Sequence, residues 1–600
     1  MLNKQIIEEI NSDILNKQFC LSLNKLSQLI EIFPNHIKLL NMKSNALVLS
    51  GKYDKAIVFC QKCIKKNFFS TTIYNNLAIS LKNTYDYKLA LNYFKKSLKL
   101  EKNHLTYFNL GNLYMEIFNY DESLKNYMMA ININQRFTPS YINASKILVK
   151  NNKYIEALKL LKKALKLNVD KILIFETLGK FFLKVRRYFF AEIYFKKMLI
   201  LDPLKSEYLQ AVLRGYCYNG EFQRYKNLTA FYSKNQKKIS SFNFLKLQKK
   251  KFNIGFISPD IRQHPIGYFL KDFIPEISKK LSINIYSTSF YKDHISRLIS
   301  DFTNWKLVGK KSNEELAQQI FNDKNDMLID LSGFAPKNRI ELYKFKPCRL
   351  QASWAGWLAS TGLKEMDYII GDEIASPIKD QHNFTEKIYN LPNSWCVYSK
   401  SELNKNLIDQ PQKRDYVIFG CVQRPEKLNI ILLNSWCEIM RFSQTSYLQF
   451  NNKHYSPYDE MIIKNFFEKR GIEKNRIIFN RCKNRKIYLE SFNEIDIYLD
   501  TFPYNGGTTS FEASFFNIPI LTMKNESHMF RCGESINGVL KCNDWIANDI
   551  EDYIFKAKKF CNDKNLYLYK KSLRKNPNKQ KLFDSKQFAS DFLKMLEDVT

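Results

Sequence analysis

Apolar positions in residues 1–236 recur three and four apart, the spacing of one helix face, and they come in blocks that repeat. An aromatic residue is followed three positions later by a small one at Tyr53/Ala56, Tyr87/Ala90, Tyr120/Ser123, Tyr154/Ala157 and Tyr188/Ala191, and these aromatics stand 34, 33, 34 and 34 residues apart. Fainter echoes lie one period outside, at Phe19/Ser22 and Phe222/Tyr225. Leu91, Phe94, Ser97 and Leu98 continue the stripe within one unit, and Asp202–Pro203 punctuates another. The pattern predicts an array of helix–turn–helix units, in which the small residue lets two helices approach and the aromatic plugs the junction with the next unit. From Lys251 the pattern changes to short apolar runs alternating with helical ones. The runs are Phe252–Ser258, Ile283–Tyr286, Met327–Leu331, Asp367–Ile370, Tyr416–Cys421, Tyr447–Phe450, Arg476–Asn480, Ile495–Leu499 and Pro519–Met523. Continuous apolar runs of this length are those of parallel strands covered on both faces by helices.

A period near 34 residues is that of the tetratricopeptide repeat. Residues 1–236 are therefore read as an α-helical tetratricopeptide superhelix of five clear repeats with degenerate repeats at its ends. Eleven residues before the aromatic, three consecutive repeats carry an asparagine, Asn76, Asn109 and Asn143, while the flanking repeats carry Met42 and Thr177. Amides one repeat apart could hold an extended peptide by its backbone groups; in an asparagine-rich chain such a row also arises by chance. Residues 237–250 break the period and are read as a short, packed linking segment. The strand runs divide into two Rossmann-like α/β lobes, residues 251–410 and 411–600, with the seam in the polar stretch near 400–415. Ligands of doubly wound sheets bind at the carboxyl ends of strands. The polar loops 259–267, 332–339, 422–427, 481–485 and 500–512 all follow strand runs, so two facing lobes would bring them to one cleft.

Composition narrows the classes. Six hundred residues are too many for one core, and 45% apolar with 25% charged residues is ordinary for a globular protein. No apolar run reaches the roughly 18 residues of a membrane span, and the opening MLNKQIIEEINSDI lacks the apolar stretch of a signal peptide. Twelve scattered cysteines, with a lone Cys60/Cys63 pair and no second pair at zinc spacing, suggest reduced thiols, a cytoplasmic location and no metal site. The net charge of +34 is uneven, +25 in residues 1–250 and +9 in the rest. Such a half could attract acidic partners, nucleic acid included. The lysines are dispersed, however, and no nucleic-acid module accompanies them, so solvated helix faces are the preferred reading.

The candidate chemistry lies in loops. Asp500–Glu512 reads DTFPYNGGTTSFE between an apolar strand and a helix. A strand that breaks at Gly506 and Gly507 and enters a helix through Thr508 and Thr509 leaves N–H groups free, and with the helix dipole these suit a pyrophosphate; a plain glycine turn with a threonine cap has the same pattern. His264 stands one loop beyond the first strand of its lobe, where Pro265 disfavours helical geometry at the histidine; it could be a general base, a hydrogen-bond donor or a structural residue. Lys427 follows a strand and could neutralise a phosphate leaving group or be a solvated surface lysine. No paired carboxylates of the DxD type accompany these loops, so charge stabilisation would come from lysine, hydroxyls and a helix N-terminus rather than from a metal ion.

Taken together, several segments resemble one family. They are GFISPDIRQHP (255–265), DLSGFAPKNRIELYKFKPCRLQASWAGWLASTG (330–362), MDYIIGDEIASP (366–377), FGCVQRPEKL (419–428) and DIYLDTFPYNGGTTSFEA (496–513). With the repeats before them, they resemble the protein O-GlcNAc transferases, which include animal enzymes and the plant SPINDLY proteins. The resemblance implies two lobes of GT-B type and an inverting, metal-independent transfer of a sugar, first of all GlcNAc from UDP-GlcNAc, to serine or threonine of a protein acceptor. No cofactor beyond the donor is implied. His264 would match the family's HP histidine, cast as base, and Lys427 the lysine on the diphosphate, with Arg424 in the polar place beside it. Gly507, Thr508 and Thr509 would form the diphosphate loop, Glu512 would hold the ribose, and Lys483 to Tyr488 would read the base. Asn76, Asn109 and Asn143 would correspond to the peptide-binding ladder. Phe334, Tyr488, Gly507 and the segment GWLASTG depart from the family's usual residues and leave the sugar, base and acceptor open. An O-fucosyl- or glucosyltransferase of the same fold, or a repeat scaffold with a degenerate transferase domain, are the alternatives. Whether His264 or a donor phosphate oxygen takes the proton also stays open.

Overall fold

Each repeat aromatic begins a helix. The computed structural model describes residues 4–185, 187–203, 206–235, 242–244, 251–403, 407–409, 414–561 and 566–600. The second helices of the clear repeats are Tyr53–Lys65, Tyr87–Leu100, Tyr120–Ile133, Tyr154–Lys166 and Tyr188–Leu201, and their first helices are Ile37–Leu49, Thr71–Asn83, His104–Glu116, Thr138–Lys150 and Lys171–Lys184. Two residues before the aromatic the chain turns through the left-handed region, at Gly51, Tyr85, Phe118 and Asn152 with φ of 70°, 66°, 62° and 60°. Asp86 and Asn119 then cap the following helices by accepting from Leu89 N and Glu122 N. The small residues Ala56, Ala90, Ser123 and Ala157 are fully buried, which is why nothing larger than serine occurs there. Cys60 and Cys63 lie buried on one such helix and are free thiols, as are all cysteines of the described residues.

The chain forms two compact units, residues 1–194 and 195–600. Their boundary lies inside the helix Tyr188–Leu201. The last helix pair, Ser206–Asn219 and Phe222–Asn235, therefore belongs to the unit that contains the two lobes. Of the expected linking segment only residues 242–244 are described, and there Phe242 stacks on Phe321 with centroids 4.5 Å apart.

The first lobe is a parallel sheet of β1 (Asn253–Ser258), β2 (Ser282–Ser287), β3 (Asn304–Leu307), β4 (Met327–Asp330), β5 (Leu350–Ser353), β6 (Tyr368–Asp372) and β7 (Lys387–Leu391), in the order β3-β2-β1-β4-β5-β6-β7. The second is a parallel sheet of β8 (Ile418–Cys421), β9 (Tyr447–Asn451), β10 (Ile477–Asn480), β11 (Ile497–Leu499), β12 (Ile520–Met523) and β13 (Ile546–Ala547), in the order β10-β9-β8-β11-β12-β13. Both orders reverse beside the lobe's first strand, as in a doubly wound fold. The nine expected strands all form; β3, β5, β7 and β13 were not expected. β3, β7 and β13 are edge strands, covered less and so not uniformly apolar. β5 carries a buried polar side chain, Gln351, which donates to the carbonyls of Tyr343 and Glu365 at 3.0 and 2.8 Å.

The chain's last helix, Ser585–Val599, corrects the expected boundary of the second lobe: it packs on the first. Phe588 and Phe592 contact Phe273 at 5.4 and 5.0 Å and Trp354 at 5.9 and 5.5 Å between centroids. The lobes thus share one apolar core. No helix among the described residues is long and apolar enough to cross a membrane.

Candidate active site

In each sheet the order reverses between the first and fourth strand of the lobe, and the four loops that leave these strands carry most of the candidate residues. His264 follows β1, the loop 332–339 follows β4, Lys427 follows β8, and the glycine loop follows β11. Switch points of this kind form the ligand crevice of doubly wound sheets.

The glycine loop is pinned from within. Asp500, at the end of β11 and buried, accepts from Thr501 N at 2.9 Å, Gly506 N at 2.7 Å and Thr522 Oγ1 at 2.9 Å. Lys427 reaches the same loop: its Nζ donates to Asn505 O at 2.7 Å and lies 4.3 Å over the Tyr504 ring. Burial pushes the Lys427 ammonium down and the Asp500 carboxyl up, and their attraction opposes both shifts. Gly507 caps the helix Thr508–Phe515 without a side-chain bond. Among the described residues, the N–H groups of Gly507, Thr508 and Thr509 have no acceptor, so the helix start presents free donors. The Thr509 hydroxyl is instead engaged, accepting from Gln423 Nε2 at 2.6 Å and Tyr498 OH at 3.1 Å. Gln423 was missed in the sequence; an uncharged residue beside Arg424 gives no signal until the fold buries it against the loop.

His264 has the extended geometry that Pro265 imposes, φ −155° and ψ 157°, and caps the helix Pro265–Leu270. Its Nδ1 accepts weakly from Ile266 N at 3.4 Å, and its Nε2 stands 3.9 Å from Asp260 Oδ2. Burial pushes the imidazole down to about 4, against the pull of Asp260 and with the push of Arg424 and Arg262. It is neutral at neutral pH and able to accept a proton. Arg424, exposed on the second lobe, is close enough to act on this first-lobe imidazole, so the two switch points meet.

Glu512, 1% exposed, is a hub that ties the loop 481–485 and the helix after it to the glycine-loop helix. It accepts from Arg485 Nη2 at 2.6 Å, Tyr398 OH at 3.0 Å and Tyr488 OH at 2.8 Å. The Arg485 guanidinium also lies over the rings of Tyr268 and Tyr488, at 4.9 and 5.2 Å. Arg485 was not singled out from the sequence beyond its loop. Lys483, two residues earlier, is exposed and forms no hydrogen bond or ion pair with this hub among the described residues.

The last repeat shapes the altered segment 356–362. Tyr225 OH donates to Ser360 O at 2.7 Å and accepts from Trp357 Nε1 at 2.7 Å. Gly362, at φ 72°, lies so near that a Cβ there would stand 2.9 Å from Thr229 Cβ. The buried Glu386 accepts from Ser360 Oγ and Thr361 N, both at 2.7 Å. Phe334 packs edge-on against Tyr232 and Trp357. Beside these, a cavity of about 830 Å³ opens among the helix Phe222–Asn235 and both lobes, lined by Glu221, Arg224, Lys226, Asp380, Asn383 and Arg531.

In the repeat unit the asparagine row needs correction. Asn76 is 3% exposed and donates to Ser44 Oγ at 2.9 Å, so it is a core residue rather than a peptide ligand. Asn109 is part-buried and donates to Asn75 Oδ1 at 3.3 Å; Asn143 is part-buried and donates to Asn112 Oδ1 at 3.1 Å. Asn76, Asn109 and Asn143 each stand five residues after the first residue of their helix, so the difference among them is one of burial against the preceding repeat and not of register. No group of three or more His, Cys, Asp or Glu among the described residues could share a metal ion.

Known proteins bear on this geometry. The chain is 25% identical over 356 residues to the Arabidopsis thaliana protein named Probable UDP-N-acetylglucosamine–peptide N-acetylglucosaminyltransferase SEC, covering 57% of this chain and 36% of that protein. It is 24% identical over 362 residues to the Solanum lycopersicum protein named Probable UDP-N-acetylglucosamine–peptide N-acetylglucosaminyltransferase SPINDLY, covering 58% of this chain and 39% of that protein. It thus spans under two fifths of these relatives' length. A solved structure of a variant of the Thermobaculum terrenum O-GlcNAc transferase superposes with a TM-score of 0.70 at 20% identity, covering 82% of this chain and 96% of that one, and so has the same fold. Tetratricopeptide repeat models match residues 37–65, 70–104, 106–137 and 138–170. The model of glycosyl transferase family 41 matches residues 234–414 and 411–592, most of both lobes. The chain belongs to glycosyl transferase family 41.

Proposed function

We propose that the protein transfers N-acetylglucosamine from UDP-N-acetylglucosamine to serine or threonine hydroxyls of polypeptides, by inversion and without a metal ion. The observation that carries this reading is Lys427 bound to the very loop whose helix start offers three free N–H groups. A lysine and a helix N-terminus supply the charge a diphosphate leaving group needs. The relatives' names supply the sugar and the peptide. The acceptor oxygen attacks C1 of the sugar, the bond from C1 to the diphosphate breaks, and the acceptor proton passes to a base. Neutral His264 is the candidate for that base, or for the group that orients the acceptor beside a phosphate oxygen. Glu512 with Arg485 lies on the nucleoside side, and the cavity beside the last repeat is the acceptor's approach. A cytoplasmic setting accords with free cysteines.

Incubation with labelled UDP-N-acetylglucosamine and a cell lysate, with UDP release followed in parallel, tests the reading. Absence of both transfer and UDP release with every common nucleotide sugar sinks it. A second reading, a scaffold with an idle transferase site, is favoured by the three donors already on Glu512. Melting-point shifts separate the two, since a nucleotide that binds the native state raises the melting temperature and an idle site stays silent to UDP and GDP.

A further inference from the structure

Two aromatic rings between the sheets carry buried polar atoms without partners. Trp395 follows β7 and His528 follows β12, so each stands at the carboxyl end of a strand, one from each lobe. Both are 1% exposed, and their ring centroids are 5.9 Å apart with planes at 79°. The Trp395 Nε1 and both ring nitrogens of His528 have no hydrogen-bond partner, nor do the hydroxyls of the adjoining Ser394 and Ser527. Buried polar atoms are nearly always matched, so such a cluster among the described residues calls for a bound group to complete it. The tryptophan is held in place by its main chain, not by its indole: Trp395 N donates to Asp372 Oδ2 at 2.8 Å, and Trp354 Nε1 donates to Trp395 O at 2.8 Å. Ser535 Oγ from the second lobe donates to the same Asp372 oxygen at 2.5 Å, which ties the lobes together at this point.

The cluster adjoins the glycine loop. A Cβ built on Gly507 would stand 3.7 Å from Cη2 and 3.8 Å from Cζ2 of Trp395, so the indole turns the edge next to Nε1 toward the start of the helix Thr508–Phe515. On the other side, a Cβ on Gly371 of β6 would stand 3.3 Å from His528 Cε1. Whatever is esterified to a diphosphate bound at that helix start lies beside this edge. We infer that Trp395 and His528 hold the pyranose ring of the donor through its uncharged hydroxyl or amide groups and select which sugar is accepted. The inference rests on the donor reading above.

The chemistry fits a neutral sugar. An indole N–H, a neutral imidazole and two serine hydroxyls offer donors and acceptors without formal charge, while the indole ring itself is packed against Phe269 and Phe511, so recognition would run through its N–H edge. Burial, with Arg531 nearby, keeps the imidazole unprotonated. A sugar acid would find no available cation here, since Arg531 is committed to Asp380 at 2.6 Å and faces the carboxylate of Glu534.

The test uses the full chain, with UDP, UDP-GlcNAc, UDP-glucose and UDP-galactose as probes, and the variants Trp395→Phe and His528→Leu. The expected result is UDP affinity within about twofold of the parent, affinity for the preferred nucleotide sugar lowered about tenfold or more, and a changed order of preference among the three sugars. Tryptophan emission should respond to the nucleotide sugar but not to UDP in the parent, and lose that response in Trp395→Phe. Parallel losses of UDP and nucleotide-sugar affinity, or unchanged sugar preference in both variants, overturn the inference and leave the cluster a place for ordered water. If Trp395→Phe does not fold, the preference of His528→Leu and the parent's emission response decide alone. Failure of the parent to bind any of the four nucleotides sinks the donor reading itself, whereas a parent that binds UDP but ignores the sugar sinks only this inference.

Discussion

Replacing His528 by leucine should flatten the acid limb of stability in the unit that holds the two lobes. The side chain is 1% exposed, and burial pushes its imidazole from 6.5 down to about 3, with Arg531 adding to the shift. An unfolded chain takes up a proton at this position as the pH falls below about 6.5, while the folded chain does so only near 3. Between those values the unfolded state binds more protons, so stability falls as the pH falls. At about 1.4 kcal/mol per unit, the loss is about 2 kcal/mol from pH 6.5 to pH 5 and approaches about 5 kcal/mol by pH 3. Leucine takes up no proton, so the variant keeps that stability. Asp500 and Asp330, pushed up to about 7 and about 6 by burial, work in the opposite sense, since a raised carboxyl costs stability as the pH rises. They titrate alike in both proteins and cancel in the comparison. All six tryptophans lie between Trp305 and Trp545, so urea unfolding followed by tryptophan emission reads this unit alone. The fall in unfolding free energy from pH 7 to pH 5 should be about 2 kcal/mol smaller in the variant. Equal pH dependence in the two proteins would refute a buried neutral imidazole at this site.

Lys427→Ala should lower sugar transfer on the order of 100-fold, read as UDP released per minute; near-normal turnover removes this lysine from the diphosphate. Arg485→Met leaves the buried Glu512 carboxylate without its cation and should cost about 3–5 kcal/mol in urea unfolding; an unshifted midpoint would show that the two tyrosine hydroxyls suffice. Tyr225→Phe removes the hydroxyl shared by Ser360 O and Trp357 Nε1. About 1–3 kcal/mol of stability should go with it, and a melting curve identical to the parent's would mean the segment 356–362 is held by other contacts.

What the sequence disclosed followed from the length of its periods. The 34-residue recurrence of Tyr53, Tyr87 and their successors marked every second helix of the repeats, because the aromatic must sit at one register to seal the next unit. The strands at the sheet centres were legible as apolar runs, since both faces are covered; edge strands such as NWKL at 304–307 need no such run. Lys427 and the glycine loop were legible as candidates for chemistry, each beside a plain reading as a solvated lysine or a capped turn. Gln423, Arg485 and Trp395 were not. Each gains its role from a partner more than 20 residues away in sequence, Thr509, Glu512 and Gly507 respectively. Asn76 failed for a similar reason: it shares the helix register of Asn109 and Asn143, and only its partner Ser44, 32 residues away on the preceding repeat, shows that it is buried.

Long-range partners also decide where the unit that holds the two lobes begins. A cut at the end of the periodic region, near residue 236, removes the helix Phe222–Asn235. That helix is not a spacer. Tyr225 is 2% exposed and satisfies both Trp357 Nε1 and Ser360 O, Tyr232 is 1% exposed against Phe334, and Thr229 closes over Gly362. Without it the two polar groups would turn to water, the buried faces of Trp357 and Phe334 would be exposed, and each such ring forfeits about 1.5–3 kcal/mol of burial. For a domain whose whole stability is about 5–15 kcal/mol, that loss approaches the margin. A fragment of residues 251–600 should therefore melt well below one of residues 195–600, or aggregate, while the longer fragment keeps the parent's tryptophan emission. Equal melting of the two fragments would mean that the last helix pair only rests on the lobes, and that the segment 356–362 takes its shape from Glu386 alone.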